Sequence, residues 1–176
     1  MNLKDLLKRI DDCNYEISGS HFYTENLVNQ YDSQFNIYLD CVENDDFMID
    51  IGGNINEFLG KNVINNIQYM FADLFGESNM TVFMTQADVN IVCIDQETGK
   101  VGACICGDDL HFLSNNLYDF FETFYLIQQL ILAQYPSHSR ALAGGYRQSF
   151  IENIEKLLLE SNKILDVNYF IEFFYG

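Results

Sequence analysis

Three short apolar segments, separated by polar turns, constrain the fold of this chain more than any other feature of its sequence. These segments are Met80–Thr85, Asp88–Asp95 and Lys100–Cys106. The last two are joined by a short polar link, and Gly99 at its end can adopt the left-handed conformation that closes a tight hairpin. The spacing therefore predicts a three-stranded antiparallel meander.

Two long amphipathic segments flank the predicted meander. Ile55 to Phe75 keeps its apolar residues on one stripe over about five turns, which is typical of a helix packed on a core. Asn54 precedes this segment and Glu57 follows three residues later, and this pair predicts a capping box at the start of the helix. Leu117 to Gln134 has a broad apolar face with Asn116 at the N-cap position, so we expect a second long helix there.

The rest of the chain contributes shorter elements. Residues 35–42 alternate apolar and polar side chains and, with the apolar run 47–51, predict an antiparallel hairpin. Helical spacing predicts helices over residues 2–11 and 150–160, and the aromatic segment 166–175 is expected to close the core. The order of these elements indicates an α+β fold, with an antiparallel sheet packed by the central amphipathic helix and the C-terminal helices.

Length and composition indicate one domain over residues 1–176, with a helical C-terminal extension over residues 137–176. Of these residues 48% are apolar, which is too much packing material for a disordered chain. No stretch approaches the roughly 20 apolar residues that a membrane helix requires, and the N-terminus lacks the apolar region of a secretory signal. The five cysteines include no Cys-x-x-Cys pair, so we expect reduced thiols in a cytoplasmic protein.

The charge of the chain is strongly unbalanced. Lys and Arg number 9 against 26 Asp and Glu, which gives a formal net charge of −17. Residues 10–139 hold 20 of the acids with only Lys61 and Lys100 as strong bases, so the charge belongs to the body of the domain. Binding to nucleic acids or to anionic membranes requires a basic surface, and this field disfavours both. The partner that it favours is basic.

Motifs of catalysis and ligand binding are missing from the sequence. The three histidines, His21, His111 and His138, show no zinc-type spacing. Gly52-Gly53 and Gly144-Gly145 do not match a phosphate-binding loop, and no Gly-x-Ser-x-Gly nucleophile motif occurs. We therefore expect a protein that is not an enzyme and that has no cofactor and no metal.

The predicted meander and the start of the next helix carry a recognisable order of motifs. Met80–Thr85 is followed by Val89–Asp95, which ends at an acidic residue, then by the hairpin Thr98-Gly99-Lys100-Val101 and the capped segment Leu113–Phe121. Over about residues 80–121 this order resembles the SUKH superfamily. That superfamily includes the SecY-interacting Syd protein, fungal cell-wall-assembly regulators and many bacterial immunity proteins.

The resemblance implies a single SUKH-like α+β domain that has no catalytic residues and binds another protein. Many members of the superfamily are immunity proteins, which neutralise a cognate toxin, often a nuclease, that is delivered between competing bacteria. Nucleases carry basic clefts, so the acidic composition points to the same class of partner.

Our first hypothesis is a cytoplasmic immunity protein that binds a basic protein toxin, such as a nuclease, and covers its active site. The predicted contacts are the acids of two exposed turns, with neighbouring Tyr or Phe as anchors. These acids are Glu43, Asp45, Asp46, Asp108 and Asp109.

Two other functions fit parts of the sequence. An acidic nucleic-acid mimic of the phage or plasmid type would inhibit a DNA- or RNA-acting enzyme, but it should carry rows of acids on long helices. The predicted helix over residues 55–75 carries only two acids, Glu57 and Asp73, so this alternative comes second. A hydrolase built from scattered Asp, Glu and His would need a buried histidine and a carboxylate that meet in a deep pocket.

Overall fold

A computed structural model of the chain describes residues 1–24, 33–42, 45–54, 56–68, 79–86, 90–106, 108–135 and 145–176. Within these residues the fold is α+β, with six helices and one six-stranded antiparallel sheet. The helices are α1 Leu3–Ser18, α2 Gln34–Cys41, α3 Lys61–Ile67, α4 Leu117–Gln134, α5 Gly145–Ser161 and α6 Val167–Tyr175. The strands are β1 Phe47–Met48, β2 Glu57–Phe58, β3 Met80–Gln86, β4 Asn90–Asp95, β5 Val101–Cys104 and β6 His111–Ser114.

The six strands lie side by side in the order in which they occur along the chain. The three segments of the predicted meander are inner strands of this larger sheet, and Gly99 closes the turn between β4 and β5 with a φ of 75°. A bulge interrupts the pairing of β3 with β4 at Val82 to Met84. There the side chain of Gln68 donates to the backbone oxygen of Val82 (2.8 Å) and accepts from its nitrogen (2.9 Å). This amide therefore supports the bulged backbone from one side.

An aromatic cluster joins the sheet to the helices. Phe83, at the bulge of β3, packs edge-on against Tyr38 of α2 and Phe120 of α4. Phe58 of β2 contacts Phe121 and other rings of α4. The rings of α6 are also buried, so the C-terminal helix is part of this core. Burying aromatic side chains contributes about 2–3 kcal/mol each before entropy is subtracted, so this cluster stabilises the packing of the sheet on the helices.

The predicted strand over residues 35–42 is wrong, because residues 35–41 lie in helix α2 and only Val42 makes an isolated β-bridge, with Tyr23. Ser33 caps the helix by accepting a hydrogen bond from the Asn36 nitrogen (3.2 Å). Phe35, Tyr38 and Cys41 are then spaced by three residues and all face the core. A short apolar run satisfies both the strand and the helix pattern, and here the packing against β3 and α4 decides in favour of the helix.

The capping box predicted at Asn54 is also wrong. Residues 57–58 form strand β2, and α3 begins only after Gly60. Residues 55 and 69–75 of the predicted helix lie outside the described residues. The backbone nitrogen of Asn54 donates to the oxygen of Phe174 (2.9 Å). Asn54 therefore holds the C-terminal helix in place, and a helix cap is not its role.

Other boundaries differ from the expected ones. Helix α1 continues to Ser18 and ends at Gly19, which has a φ of 75°, and α5 begins at Gly145, before the predicted cap at Ser149. Strand β6 was not predicted at all. The helix at Leu117–Gln134 is confirmed, including the cap in which Asn116 accepts from the Asp119 nitrogen (2.8 Å). None of the helices in the described part of the chain is long and apolar enough to cross a membrane.

Candidate functional site

The two predicted acidic turns lie at opposite edges of the sheet. Asp45 and Asp46 immediately precede β1, whereas Asp108 and Asp109 precede β6, and all four are exposed. Five strand spacings of about 4.8 Å separate these edges by about 24 Å. The structure therefore does not bring the predicted residues together, and Glu43 lies outside the described residues.

Asn14 ties helix α1 to the β1 edge. Its side chain is fully buried, and Nδ2 donates to the backbone oxygens of Ser20 (3.0 Å) and Met48 (3.2 Å). Its Oδ1 accepts from the nitrogen of Asp50 (2.9 Å). One amide thus fixes the turn after α1 beside the edge strand, and it also occupies a carbonyl group of that strand.

The end of α1 and the turn that follows it present two stacked rings to solvent. The rings of Tyr15 and His21 are nearly parallel, 5° apart in plane and 4.3 Å apart between centroids. Tyr15 is 52% exposed and the His21 side chain 55%, so both rings lie on the surface. This pair was not predicted, because Tyr15 was not assigned to the first helix.

A buried carboxylate holds the exposed histidine. The Asp11 side chain is 8% exposed, and its Oδ2 lies 2.7 Å from Nδ1 of His21. Its Oδ1 accepts from the backbone nitrogens of Phe22 (2.6 Å) and Tyr23 (3.1 Å). Asp11 therefore shapes the turn and orients the imidazole at the same time.

Further exposed residues lie on and beside strand β1, which the buried Asn14 joins to α1. Met48 is 47% exposed and pairs across the strands with the exposed Glu57. Asp46 precedes β1, and its Oδ1 accepts from the Gly60 nitrogen (3.2 Å), which holds this turn against the end of β2. We call this group the β1-edge surface, and it consists of Asp12, Tyr15, Glu16, His21, Asp45, Asp46, Met48 and Glu57.

A second histidine, at the β6 edge, has similar neighbours in a different setting. His111 stacks on Tyr169 with 3.9 Å between centroids, and its Nδ1 lies 3.5 Å from Oδ2 of Asp166. Tyr169 is buried, and its hydroxyl accepts from the Ile105 nitrogen (2.9 Å). We call the group Asp108, Asp109, His111, Asp166 and Tyr169 the β6-edge surface.

The chemistry available at both edges is limited. Each histidine has a carboxylate partner but is half exposed, and the two lie at opposite edges of the sheet, so neither forms the buried pair that a hydrolase would need. Among the described residues no group of three or more His, Cys, Asp or Glu side chains is arranged to hold a metal ion.

The buried cysteines are poor nucleophiles. Burial raises the pKa of the thiols of Cys13, Cys41, Cys93 and Cys104, in the case of Cys93 to about 12. These thiols stay protonated at neutral pH, and the thiolate is the reactive form. They therefore pack as small apolar side chains.

Part of the charge is neutralised within the fold. Lys163 lies 3.0 Å from both Asp119 and Glu122 of α4, and hydrogen bonds to these carboxylates raise its pKa to about 12. Lys61 pairs with Asp40 at 3.2 Å. The acids of the β1-edge surface are exposed, so their field reaches solvent.

Comparison of the chain with protein-family models, with curated proteins and with solved structures finds no match.

Proposed function

We propose that this chain is a cytoplasmic immunity protein that binds and neutralises a basic protein toxin through its β1-edge surface. The proposal rests on the order of motifs over residues 80–121, on the net charge of −17 and on the composition of this surface. It assigns no catalytic residue to the chain.

The observation that carries the proposal is the exposed Tyr15–His21 stack among acidic residues. Binding energy in protein interfaces concentrates in a few aromatic anchors inside a polar rim. Tyr15 and Met48 supply large exposed side chains, and Asn14 and Asp11 fix the backbone on which they stand. An anchor that is already ordered loses less entropy when it binds.

The acidic rim explains how such a protein would find its partner. Opposite charges steer two proteins together and raise the association rate by about 10 to 1000-fold at low salt. A nuclease that binds a polyanion presents a basic cleft, and an acidic surface that occupies this cleft excludes the substrate. Occlusion of the active site is therefore the inhibition mechanism that we favour.

Both edge strands are partly covered, which favours side-chain recognition over the addition of a strand. The Met48 oxygen of β1 accepts from Asn14, and the Leu113 oxygen of β6 accepts from the Leu165 nitrogen (2.7 Å). A partner strand would have to displace these bonds.

Co-expression with the product of the neighbouring gene tests the proposal. We expect that gene to encode a basic toxin domain, and we expect this chain to restore growth and to form a complex that survives size-exclusion chromatography. A toxin that still arrests growth, with no complex at micromolar concentrations of both proteins, would remove the proposed function.

No observation in the described residues favours the nucleic-acid mimic over the toxin inhibitor. The two acids near the start of α4 are paired with Lys163, and on α5 Glu160 lies 3.8 Å from Lys156. A phosphate mimic needs carboxylates that are free to face the enzyme.

A further inference from the structure

The Tyr15–His21 stack leaves one face of each ring available. Because the parallel rings cover each other on the inner side, the exposed half of Tyr15 lies on its outer face and its edge. The open face of an aromatic ring carries negative potential and attracts cations. A flat cation can lie on it without moving either ring.

A hydrogen-bond network holds the imidazole on which Tyr15 stacks. Asp11 fixes the imidazole through Nδ1, and it is itself fixed by two backbone nitrogens. Helix geometry also places Asp11 and Asp12 on the same side of α1 as Tyr15, since residues three and four apart are neighbours. His21 is therefore a positioning residue for the tyrosine ring.

The charges around Tyr15 select a cation. Asp12 and Glu16 are exposed on α1, three residues before Tyr15 and one residue after it. The bases Lys8 and Arg9 lie one turn before Asp12 and line a surface depression together with it, so they are farther from Tyr15 than the two acids are. A guanidinium group is planar, stacks on aromatic faces and donates to carboxylates with two parallel N–H groups, whereas an ammonium group is a compact, strongly hydrated charge. Arginine can therefore stack on the ring and also donate hydrogen bonds to the carboxylates, whereas lysine pairs well only with the carboxylates.

We propose that the Tyr15–His21 stack is a receptor for one arginine side chain of the basic partner. The guanidinium lies on the outer face of Tyr15, and its N–H groups donate to the carboxylates of Asp12 and Glu16. This inference rests on the proposed function, because it names the side chain through which the basic partner is recognised.

Two peptides of equal charge test this inference, namely hexa-arginine and hexa-lysine, each titrated into the full chain labelled with ¹⁵N. We expect hexa-arginine to bind about two- to fivefold more tightly, as is typical of one exposed cation–π contact, and to shift the amide resonances of residues 12–21. Tyr15→Leu should reduce the ratio of the two affinities to about one. The matched control, Tyr125→Leu on α4, should leave the ratio unchanged.

Variants of His21 separate positioning from charge. His21→Phe keeps a flat ring behind Tyr15 and should retain the preference for arginine, whereas His21→Ala should lower it. Equal affinities for the two peptides, or a preference that survives Tyr15→Leu, would overturn the inference. Equal binding of both peptides would still agree with a basic partner. The growth assay with the toxin tests separately whether the chain binds such a partner.

Discussion

The two edges of the sheet carry the same local arrangement and use it differently. At each edge a histidine stacks on a tyrosine, at 4.3 Å for His21 and 3.9 Å for His111, and an aspartate faces its Nδ1. At the β1 edge the tyrosine is 52% exposed, whereas Tyr169 at the β6 edge is 7% exposed. The exposed tyrosine at the β1 edge is therefore available to a partner, whereas the buried tyrosine at the β6 edge is part of the packing of the fold.

At the β6 edge, Asp166 and Tyr169 already make hydrogen bonds within the fold. Asp166 caps α6 by accepting from the Tyr169 nitrogen (2.9 Å), and the Tyr169 hydroxyl accepts from Ile105. At the β1 edge the buried member is Asp11, and both rings point outward. An acidic turn beside an aromatic residue therefore indicates a binding surface only when the aromatic ring stays exposed.

Substitutions of the two tyrosines should differ most in the stability that they remove. Tyr169→Ala should lower the free energy of unfolding by about 3–5 kcal/mol, because it leaves a cavity where a buried ring was. Tyr15→Ala should cost about 1 kcal/mol or less, because its ring is half exposed. Urea denaturation followed by circular dichroism measures both. Equal losses in the two variants would mean that the β1 edge is also structural.

The two aspartates provide a second contrast. Asp11→Ala should destabilise the chain by about 1–3 kcal/mol, since it leaves the buried nitrogen of Phe22 without an acceptor. Asp166→Ala should cost about 1 kcal/mol, the usual value of a lost helix cap. Asp12→Ala is the control, because its exposed carboxylate should contribute less than about 0.5 kcal/mol. A loss for Asp11→Ala no larger than for Asp12→Ala would refute the role of Asp11 in shaping the turn.

Alkaline pH should destabilise the core that lies between the edges. Burial raises the pKa of Tyr38 and Tyr175 well above 10.0, and it also raises the pKa of Tyr169. Because the unfolded chain then loses these protons first, their stabilising contribution is complete below pH 10 and is lost as pH rises above it. Unfolding free energies from pH 8 to 11, with tyrosinate absorbance, should show this decline. Tyr169→Phe should make the decline shallower, and a stability independent of pH in this range would contradict the assignment.

The sequence predicted the elements that local signals define. Asn116 and the apolar face behind it predicted α4, and Gly99 predicted the turn between β4 and β5. It did not predict α2, because the apolar run from Phe35 to Val42 fits both the strand repeat and the helix repeat. Only the packing of this segment against Phe83 favours the helix. Strand β6 depends on pairing with β5, which no local pattern encodes.

The candidate site was predictable only in part. The exposure of Asp45 and Asp46 follows from their place in a polar turn. The Tyr15–His21 stack could not be predicted, because it depends on the turn at Gly19 that reverses the chain after α1. Asp11 was indistinguishable in sequence from its exposed neighbour, and only the structure shows that it accepts bonds from the following turn.

Association kinetics with the toxin encoded by the neighbouring gene show directly whether the β1-edge surface binds the partner. Two double variants with the same change of charge are compared. One combines Asp45→Lys and Asp46→Lys at the β1 edge, and the other combines Asp108→Lys and Asp109→Lys at the β6 edge. We expect the β1-edge variant to slow association about tenfold and to flatten its salt dependence, and the β6-edge variant to change the rate less than about twofold at equal stability. An unchanged rate in the first variant, or a larger loss in the second, would contradict the assignment of the β1-edge surface.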